Sequence, residues 1–410
     1  MLEELMKRPE LLIPAGNLEK LRTALLYGAD AVYVGIEGMS LRAAAAEFPM
    51  DNLETGIREA HRHGVKVYGA MNLFARNDDL QRAAAILPEL EAMGIDALIV
   101  SDPGMIRLIR QLTPGIPLHL STQANTTNAA AVRFWAEQGV SRVVLARELT
   151  LAEIAEIAKE VPDIELELFV HGAMCMAYSG RCFLSAHWNR RSANQGDCTQ
   201  PCRWDYYLVE ASRPDQPLIL EEDARYTYLL SSKDLCMIEY LPEMMAAGVS
   251  SLKVEGRMKS VYYVAAVTRI YRQAIDAYLT DPARFRVDPE WLEELRKISY
   301  RDYTTGFYFT REKINEVNPD VNYWQTYDMV GTVLAYDAEN SRILVGVRNG
   351  LRDDDVIELL LPRETITLDP AAMVNETGEP IKAAHNGYRI YLPVTVEVPA
   401  GAVIRRKMKK

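Results

Sequence analysis

The sequence has few cysteines and no long hydrophobic stretch, and each scarcity excludes a class of protein. Five of the 410 residues are cysteine, which is too few for a small disulfide-rich scaffold. No run of eighteen apolar residues occurs, and the beginning MLEELMKRPE shows no basic segment followed by an apolar one. We therefore expect a cytoplasmic protein that does not contact membranes. In that reducing compartment, clustered cysteines bind metal or react more often than they form disulfides.

An excess of positive charge is also missing. The formal net charge is -11 at pH 7, which argues against non-specific coating of nucleic acid because that binding needs lysine and arginine facing the phosphates. Charged residues are 25% and hydrophobic residues 49% of the chain, as in folded globular proteins. Positive charge does concentrate near the cysteines and in KVEGRMKS, residues 253–260. From charge alone, both groups are expected to be solvated surface.

Several catalytic signatures are absent. There is no G-x-G-x-x-G after the first predicted strand and no Walker loop, which argues against an open nucleotide-binding sheet. The chain contains neither the H-E-x-x-H of zinc peptidases nor the G-x-S-x-G of serine hydrolases.

A regular alternation of strand and helix patterns fills the first 260 residues. The predicted strands are 11–15, 31–35, 66–72, 97–102, 117–122, 142–148, 165–172 and 251–257. Amphipathic helical segments separate consecutive strands, which is the pattern of parallel βαβ units. Eight such units predict a closed (β/α)₈ TIM-like barrel.

Four segments are predicted along the chain. Residues 1–280 form the barrel, and a cysteine-rich insertion at about 172–250 follows strand 7 and lies across the barrel mouth. Residues 281–326 connect the barrel to a small β-barrel at 327–410, where short alternating runs are broken by turn residues. The basic tail RRKMKK is expected to be a frayed terminus.

The carboxyl ends of the predicted strands are polar, and a TIM barrel carries its chemistry at those ends. The residues concerned are Asn72, Asp102, Ser121, Thr122, Gln123, Arg147, Glu148, His171, Glu255 and Arg257. For any one of these residues, a hydrogen bond to a neighbouring loop is the simpler explanation of its position. Taken together, the residues predict a site.

Four cysteines, Cys175, Cys182, Cys198 and Cys202, lie within 28 residues. Four thiolates on loop backbone suit a tetrahedral zinc ion or an iron–sulfur cluster. Only the pair Cys198 and Cys202 has the short spacing of a zinc knuckle, so the spacing favours a cluster and leaves zinc open. Cys236 lies in a segment with helical periodicity and is expected to be a buried small hydrophobe.

The segment ELFVHGAMCMAYSGRCFLS, residues 167–185, resembles the signature of the collagenase-like peptidase family U-32. The matching positions are Glu167, Phe169, Gly172, Cys175, Gly180, Cys182 and Ser185. The resemblance continues through NRRSANQGDCTQPCRWDYYL and SLKVEGRMKS. It implies a 4Fe-4S cluster held by Cys175, Cys182, Cys198 and Cys202, because better understood members bind such a cluster and hydroxylate their substrates without oxygen.

Members with a β-module after the barrel imply a more specific function, namely 5-hydroxyuridine formation at the tRNA wobble position with prephenate as the hydroxyl source. The anticodon loop of tRNA and a prephenate-like small molecule are then the expected partners, and a paralogous partner subunit is left open. A modified base must be unstacked, and aromatic and guanidinium groups can hold it. The candidate substrate-binding residues are Gln123, Arg147, Arg190, Arg191 and Arg203, with Trp188, Trp204 and Tyr206 nearby, and the candidate catalytic residues are His171, Glu255 and Arg257.

Three alternatives remain open at the level of the sequence. The family label predicts a collagenase-like peptidase that needs no hydroxyl donor. Hydroxylation of a ribosomal RNA base is an alternative within the same class of reaction. In the third, zinc holds the cysteine-rich segment together and the protein only binds RNA.

Overall fold

Eight parallel strands close into a barrel in this computed structural model, which describes residues 8–41, 47–175, 177, 181–204, 207–208, 218–219, 233–310 and 323–409. The barrel strands are β1 (Glu10–Pro14), β2 (Ala31–Ile36), β3 (Lys66–Met71), β4 (Ala97–Val100), β5 (Leu118–Leu120), β6 (Val140–Val144), β7 (Glu165–Ala173) and β8 (Ser251–Val254). Each pairs with the next, and β8 pairs with both β7 and β1, which closes the sheet. The predicted TIM-like barrel and its eight strands are confirmed.

Helices alternate with these strands and cover the barrel. They are α1 (Leu18–Tyr27), α2 (Met50–Arg62), α3 (Asn77–Ala92), α4 (Pro103–Leu112), α5 (Ala129–Glu137), α6 (Leu151–Glu160), α7 (Leu184–Asn189), α8 (Leu241–Ala246), α9 (Val261–Thr280) and α10 (Pro289–Leu295). Side-chain caps begin several of them, as where Thr150 and Glu153 form a capping box at α6. Within the described part of the chain, we find no helix whose length and hydropathy would suit a membrane span.

An antiparallel sheet forms the C-terminal module. Its strands are β9 (Tyr327–Asp337), β10 (Arg342–Val347), β11 (Ile357–Leu360), β12 (Thr365–Leu368), β13 (Val374–Asn375), β14 (Arg389–Pro393) and β15 (Val403–Lys407). The strand order is β12-β11-β15-β9-β10-β14-β13. The sheet has its own core of aliphatic side chains, which alternating apolar residues supply.

The C-terminal module packs directly on the barrel helices. The Tyr27 hydroxyl donates to the carbonyl oxygen of Leu360 at 2.8 Å and accepts from the amide of Val403 at 3.1 Å. Arg405 is fully buried and forms ion pairs with Glu294 at 2.8 Å and Glu358 at 2.6 Å. These contacts join α1 and α10 to the C-terminal strands.

Two local predictions are wrong. Cys236 lies in the short strand Asp234–Cys236, which pairs antiparallel with β7, and the predicted helix is limited to α8 further along the chain. The expected burial of Cys236 is nevertheless correct. The predicted fraying of the tail RRKMKK is wrong for its first three residues, because they belong to the strand Val403–Lys407, which lies between β9 and β11.

Candidate functional site

A cavity of about 670 Å³ opens at the carboxyl ends of the barrel strands, where barrel enzymes place their chemistry. Its floor consists of inward-pointing strand residues, mostly apolar or aromatic. They are Tyr33, Ala70, Ile99, Val144, Phe169 and Lys253. The cysteine-rich segment contributes part of the lining, as predicted for the mouth of the barrel.

One wall of the cavity is polar and uncharged. The Asn72 side-chain amide lies 3.3 Å from both Ser121 Oγ and Gln123 Oε1. The guanidinium of Arg181 donates two hydrogen bonds, of 3.1 and 2.7 Å, to the Gln123 carbonyl oxygen. This contact ties the cysteine-rich segment to the end of β5 and fixes the polar wall beside it.

A second part of the cavity wall carries several positive charges. Arg147 lies with its guanidinium carbon 3.8 Å from the centroid of the Phe169 ring, and it donates to Glu255 Oε2 at 3.2 Å. Arg257 and Lys259 line the same side. Lys253 and Arg257 are each 4% exposed, so the expectation that the charges of KVEGRMKS are solvated surface is wrong for these two residues.

All four clustered cysteines line the cavity, whereas Cys236 is buried elsewhere. Two of their sulfur atoms accept backbone hydrogen bonds, Cys182 from Leu184 and Cys198 from Gln200, both at 3.4 Å. These hydrogen bonds fix the positions of the two sulfur atoms relative to the neighbouring backbone.

The chemistry of this donor set fits an iron–sulfur cluster, because four cysteine thiolates are its usual ligands. Among the described residues, however, no three His, Cys, Asp or Glu side chains are grouped closely enough to hold one metal ion. Metal binding by these cysteines therefore stays a prediction.

Buried hydrogen bonds position the loop that carries Cys198. Ser185, fully buried in α7, accepts from the amide of Thr199 at 2.9 Å and donates to the carbonyl oxygen of Asp197 at 3.3 Å. The Asn189 amide also donates to Thr199 Oγ1 at 2.7 Å. Ser185 of the signature thus holds the backbone on both sides of Cys198.

Gly172 of the signature allows β7 to approach β8 closely. Its φ is +106°, and a Cβ atom there would lie 2.6 Å from the carbonyl oxygen of Glu255. A side chain at this position would displace the strand end that carries Glu255 and Arg257.

His171 does not line the cavity. It is buried next to Tyr271, whose hydroxyl lies 3.4 Å from Nδ1, and burial lowers its pKa to about 3. The imidazole is therefore neutral at physiological pH and packs between β7 and α9. Its predicted catalytic role stays a prediction without support from its position.

Two of the predicted substrate-binding arginines, Arg190 and Arg191, are not among the residues that line the cavity. Arg191 is exposed and pairs with Asp197 at 2.5 Å, and Arg190 is also exposed, directly after the end of α7. The Arg203 side chain, Gly180 and Tyr206 lie outside the described residues. Gln123, Arg147, Glu255 and Arg257 do meet at the cavity.

Large aromatic side chains of the cysteine-rich segment are exposed. Phe183, Trp188 and Trp204 are 80%, 55% and 48% exposed, so they do not pack the segment onto the barrel core. Exposed aromatic faces beside a cavity are suited to stacking on unpaired bases.

Lys253 and Lys259 are cavity residues that the sequence interpretation did not select. Lys253 lies inside a strand, two residues after Ser251, whose hydroxyl also points into the barrel and donates to Glu10. The alternation of inward and outward residues along β8 was the signal that could have identified it.

Comparison with known proteins agrees with this architecture. Residues 16–318 match Peptidase family U32, and residues 325–405 match the Peptidase family U32 C-terminal domain. A relative named tRNA hydroxylation protein P1, from Bacillus subtilis (strain 168), is 42% identical over 391 residues, covering 94% of this chain and 91% of that protein. The tRNA hydroxylation protein P of Escherichia coli (strain K12) is 40% identical over 432 residues, covering 95% of this chain and 94% of that protein.

A third relative acts on a different RNA according to its name. The 23S rRNA 5-hydroxycytidine C2501 synthase of Escherichia coli (strain K12) is 34% identical over 392 residues, covering 94% of this chain and 56% of that protein.

Proposed function

The chain belongs to peptidase family U32, and from that premise we propose that it is an RNA hydroxylase that forms 5-hydroxyuridine at the wobble position of tRNA. Two relatives named for tRNA hydroxylation match more than nine-tenths of the chain, both modules included. The observation that carries the proposal is that four cysteines and a set of polar strand ends line one cavity at the barrel mouth.

In this proposal Cys175, Cys182, Cys198 and Cys202 hold a 4Fe-4S cluster. When bound, the cluster supplies electron transfer or Lewis-acid chemistry at the roof of the cavity. The backbone hydrogen bonds to Cys182 and Cys198 orient their sulfur atoms, and Ser185 fixes the loop of Cys198. The segment's contacts with Gln123 keep these cysteines over the barrel.

The remaining cavity residues and the exposed tryptophans beside the cavity bind and orient the reactants. Exposed Trp188 and Trp204 stack on bases of an unpaired loop, and the anticodon loop offers such bases. The uncharged wall at Asn72 and Gln123 presents donors and acceptors suited to the edge of a pyrimidine. The positive wall at Arg147 binds prephenate, which supplies the hydroxyl oxygen in place of O₂.

The deciding experiment is deletion of the gene followed by mass spectrometry of tRNA nucleosides. We expect 5-hydroxyuridine and its derivatives to disappear and to return when the wild-type gene is restored. Unchanged hydroxyuridine, in a strain that lacks any second gene of this family, would contradict the proposal.

The same strains separate the alternatives. Loss of 5-hydroxycytidine from ribosomal RNA with intact tRNA would identify the rRNA reaction. Cleavage of denatured collagen by purified protein without a hydroxyl donor would support the peptidase. Protein purified without oxygen should be brown with broad absorbance at about 400 nm, whereas a zinc-stabilised module is colourless.

A further inference from the structure

We propose that Lys253 anchors a carboxylate of the small acid at the floor of the barrel cavity. The inference rests on the proposed use of such an acid as hydroxyl source, and it adds a binding residue and the depth at which the acid lies.

The first observation is the position of Lys253 in the floor. Among the six strand residues that form the floor, Lys253 is the one with a charged side chain. Its Nζ lies 4.6 Å from the centroid of the Tyr33 ring and 5.6 Å from that of Phe169, both of which line the cavity. The ammonium group is thus held at a fixed place between two aromatic faces, beneath the cavity.

The second observation is the hydrogen bonding of the ammonium group. Lys253 Nζ donates to Glu167 Oε1 at 2.7 Å, below the floor. An ammonium group has three N–H donors, so this bond leaves it able to donate to a carboxylate that enters from above. Glu167 fixes the lysine in the way that a preorganised binding site requires.

The third observation is that a contribution to stability does not explain the buried ion pair between Lys253 and Glu167. Glu167 is fully buried and has a second cationic partner, Arg142, at 3.2 Å. A buried ion pair usually adds little stability over apolar residues of similar volume, and the floor neighbours Val144 and Phe169 are apolar. Binding an anion would explain why a lysine occupies this position, whereas stabilisation of the fold does not.

The charge of the whole lining supports the same ligand class. Among the described residues that line the cavity, Arg147, Lys253, Arg257 and Lys259 are cationic and Glu255 is the one carboxylate. Arg147 lies above Phe169, so cationic groups occur at the floor and higher on the wall. Two levels of positive charge complement a molecule with two carboxylates, such as prephenate.

The test is isothermal titration of prephenate into the full-length protein purified without oxygen. In the double variant Lys253→Met/Glu167→Gln, both charges are removed together, so no buried charge is left unpaired at this level. We expect the Kd for prephenate to rise at least tenfold. The matched control is Asp30→Asn/Arg272→Met, which removes an ion pair at the amino-terminal end of the barrel strands, between residues that do not line the cavity. Its Kd should change less than threefold.

Lys253→Arg is a second variant that keeps Glu167 paired and so protects folding. Its guanidinium is bulkier than an ammonium and cannot occupy the same position between the two rings, so we expect at least a threefold rise in Kd. The proposal is overturned if wild-type protein does not bind prephenate, if the two double variants bind it equally, or if Lys253→Arg binds as wild type does.

Nucleoside analysis of the deletion strain reports on the proposed function separately. Prephenate binding that depends on Lys253, together with unchanged hydroxyuridine in tRNA, would support the anchor and remove the RNA assignment. Loss of hydroxyuridine together with binding that is independent of Lys253 would overturn the anchor alone.

Discussion

At the scale of single residues, the five cysteines differ in what surrounds them. Cys182 lines the cavity and accepts a backbone hydrogen bond, whereas Cys236 is buried and burial raises its pKa to about 12. We therefore expect Cys182→Ser to lose most bound iron and all hydroxylation activity, because serine is a poor cluster ligand. Cys236→Ser should keep both. Iron and sulfide analysis of anaerobic protein measures the difference, and equal iron loss in both variants would refute this ligand assignment.

The lowered pKa values of two buried histidines predict how the free energy of unfolding depends on pH. Burial lowers the pKa of His119 and of His171 to about 3, while an unfolded histidine titrates near 6.5. Below pH 6.5 the unfolded chain binds protons that the folded protein does not, so stability falls as the pH decreases toward 3. Between pH 6.5 and pH 5 each histidine should contribute a loss of about 2 kcal/mol.

Urea denaturation at several pH values measures the slope of the unfolding free energy against pH. We expect His171→Asn to flatten the slope whatever its effect on stability at pH 7, because the titrating group is gone. The control is His63→Gln, an exposed position at the end of α2, which should keep the wild-type slope. An unchanged slope in His171→Asn would mean that this histidine is protonated in the folded protein.

At the scale of elements, one buried ion pair fixes the chain where it returns from the cysteine-rich segment. Arg301 is 1% exposed and donates from Nη2 to Asp234 Oδ1 at 2.8 Å, next to the strand that pairs with β7. Arg301→Met leaves the Asp234 carboxylate buried without this partner, which should cost roughly 3–5 kcal/mol of unfolding free energy. Asp234→Asn/Arg301→Met removes both charges and should recover most of that loss in chemical denaturation. A single variant as stable as the wild type would show that water reaches Asp234.

The same strand shows where the sequence was sufficient and where it was not. The eight barrel strands follow from local signals, since runs of β-branched residues such as AVYVG are bounded by glycine and polar turns. The strand containing Cys236 has helical periodicity on its own, and its hydrogen bonds come from β7, about 65 residues earlier. Pairing with a distant partner overrides local preference, and no window of the sequence contains that information.

At the scale of the whole molecule, closure of the barrel determines how much of the site could be predicted. The sequence predicts Gln123, Arg147, Glu255 and Arg257 as site residues because each follows a strand, and strand ends meet at one mouth. His171 satisfies the same rule but is packed under Tyr271, because its orientation depends on contacts with α9. The alternation along β8 predicts that the Lys253 side chain points into the barrel, but its contacts with Tyr33 and Glu167 come from other strands and depend on closure of the sheet.

The contact between the two modules predicts how the molecule unfolds. Leu360 and Val403 of the C-terminal sheet belong to the same hydrophobic cluster as the barrel, so we expect one cooperative transition in calorimetry. Arg405 is central to this contact, because it is fully buried and pairs with Glu294 of α10 and Glu358 of β11.

Arg405→Met should destabilise the contact by roughly 3 kcal/mol and split the transition in two, because two buried carboxylates lose their shared partner. The control is Lys407→Met, an exposed position on the same strand, which should keep one transition. If Arg405→Met also unfolds in one step at the wild-type temperature, the hydrophobic contacts alone join the modules. If the transition splits, the C-terminal sheet is held on the barrel by a contact remote from the cavity. The effect of the variant on the proposed tRNA hydroxylation would then measure how far that reaction depends on the attached module.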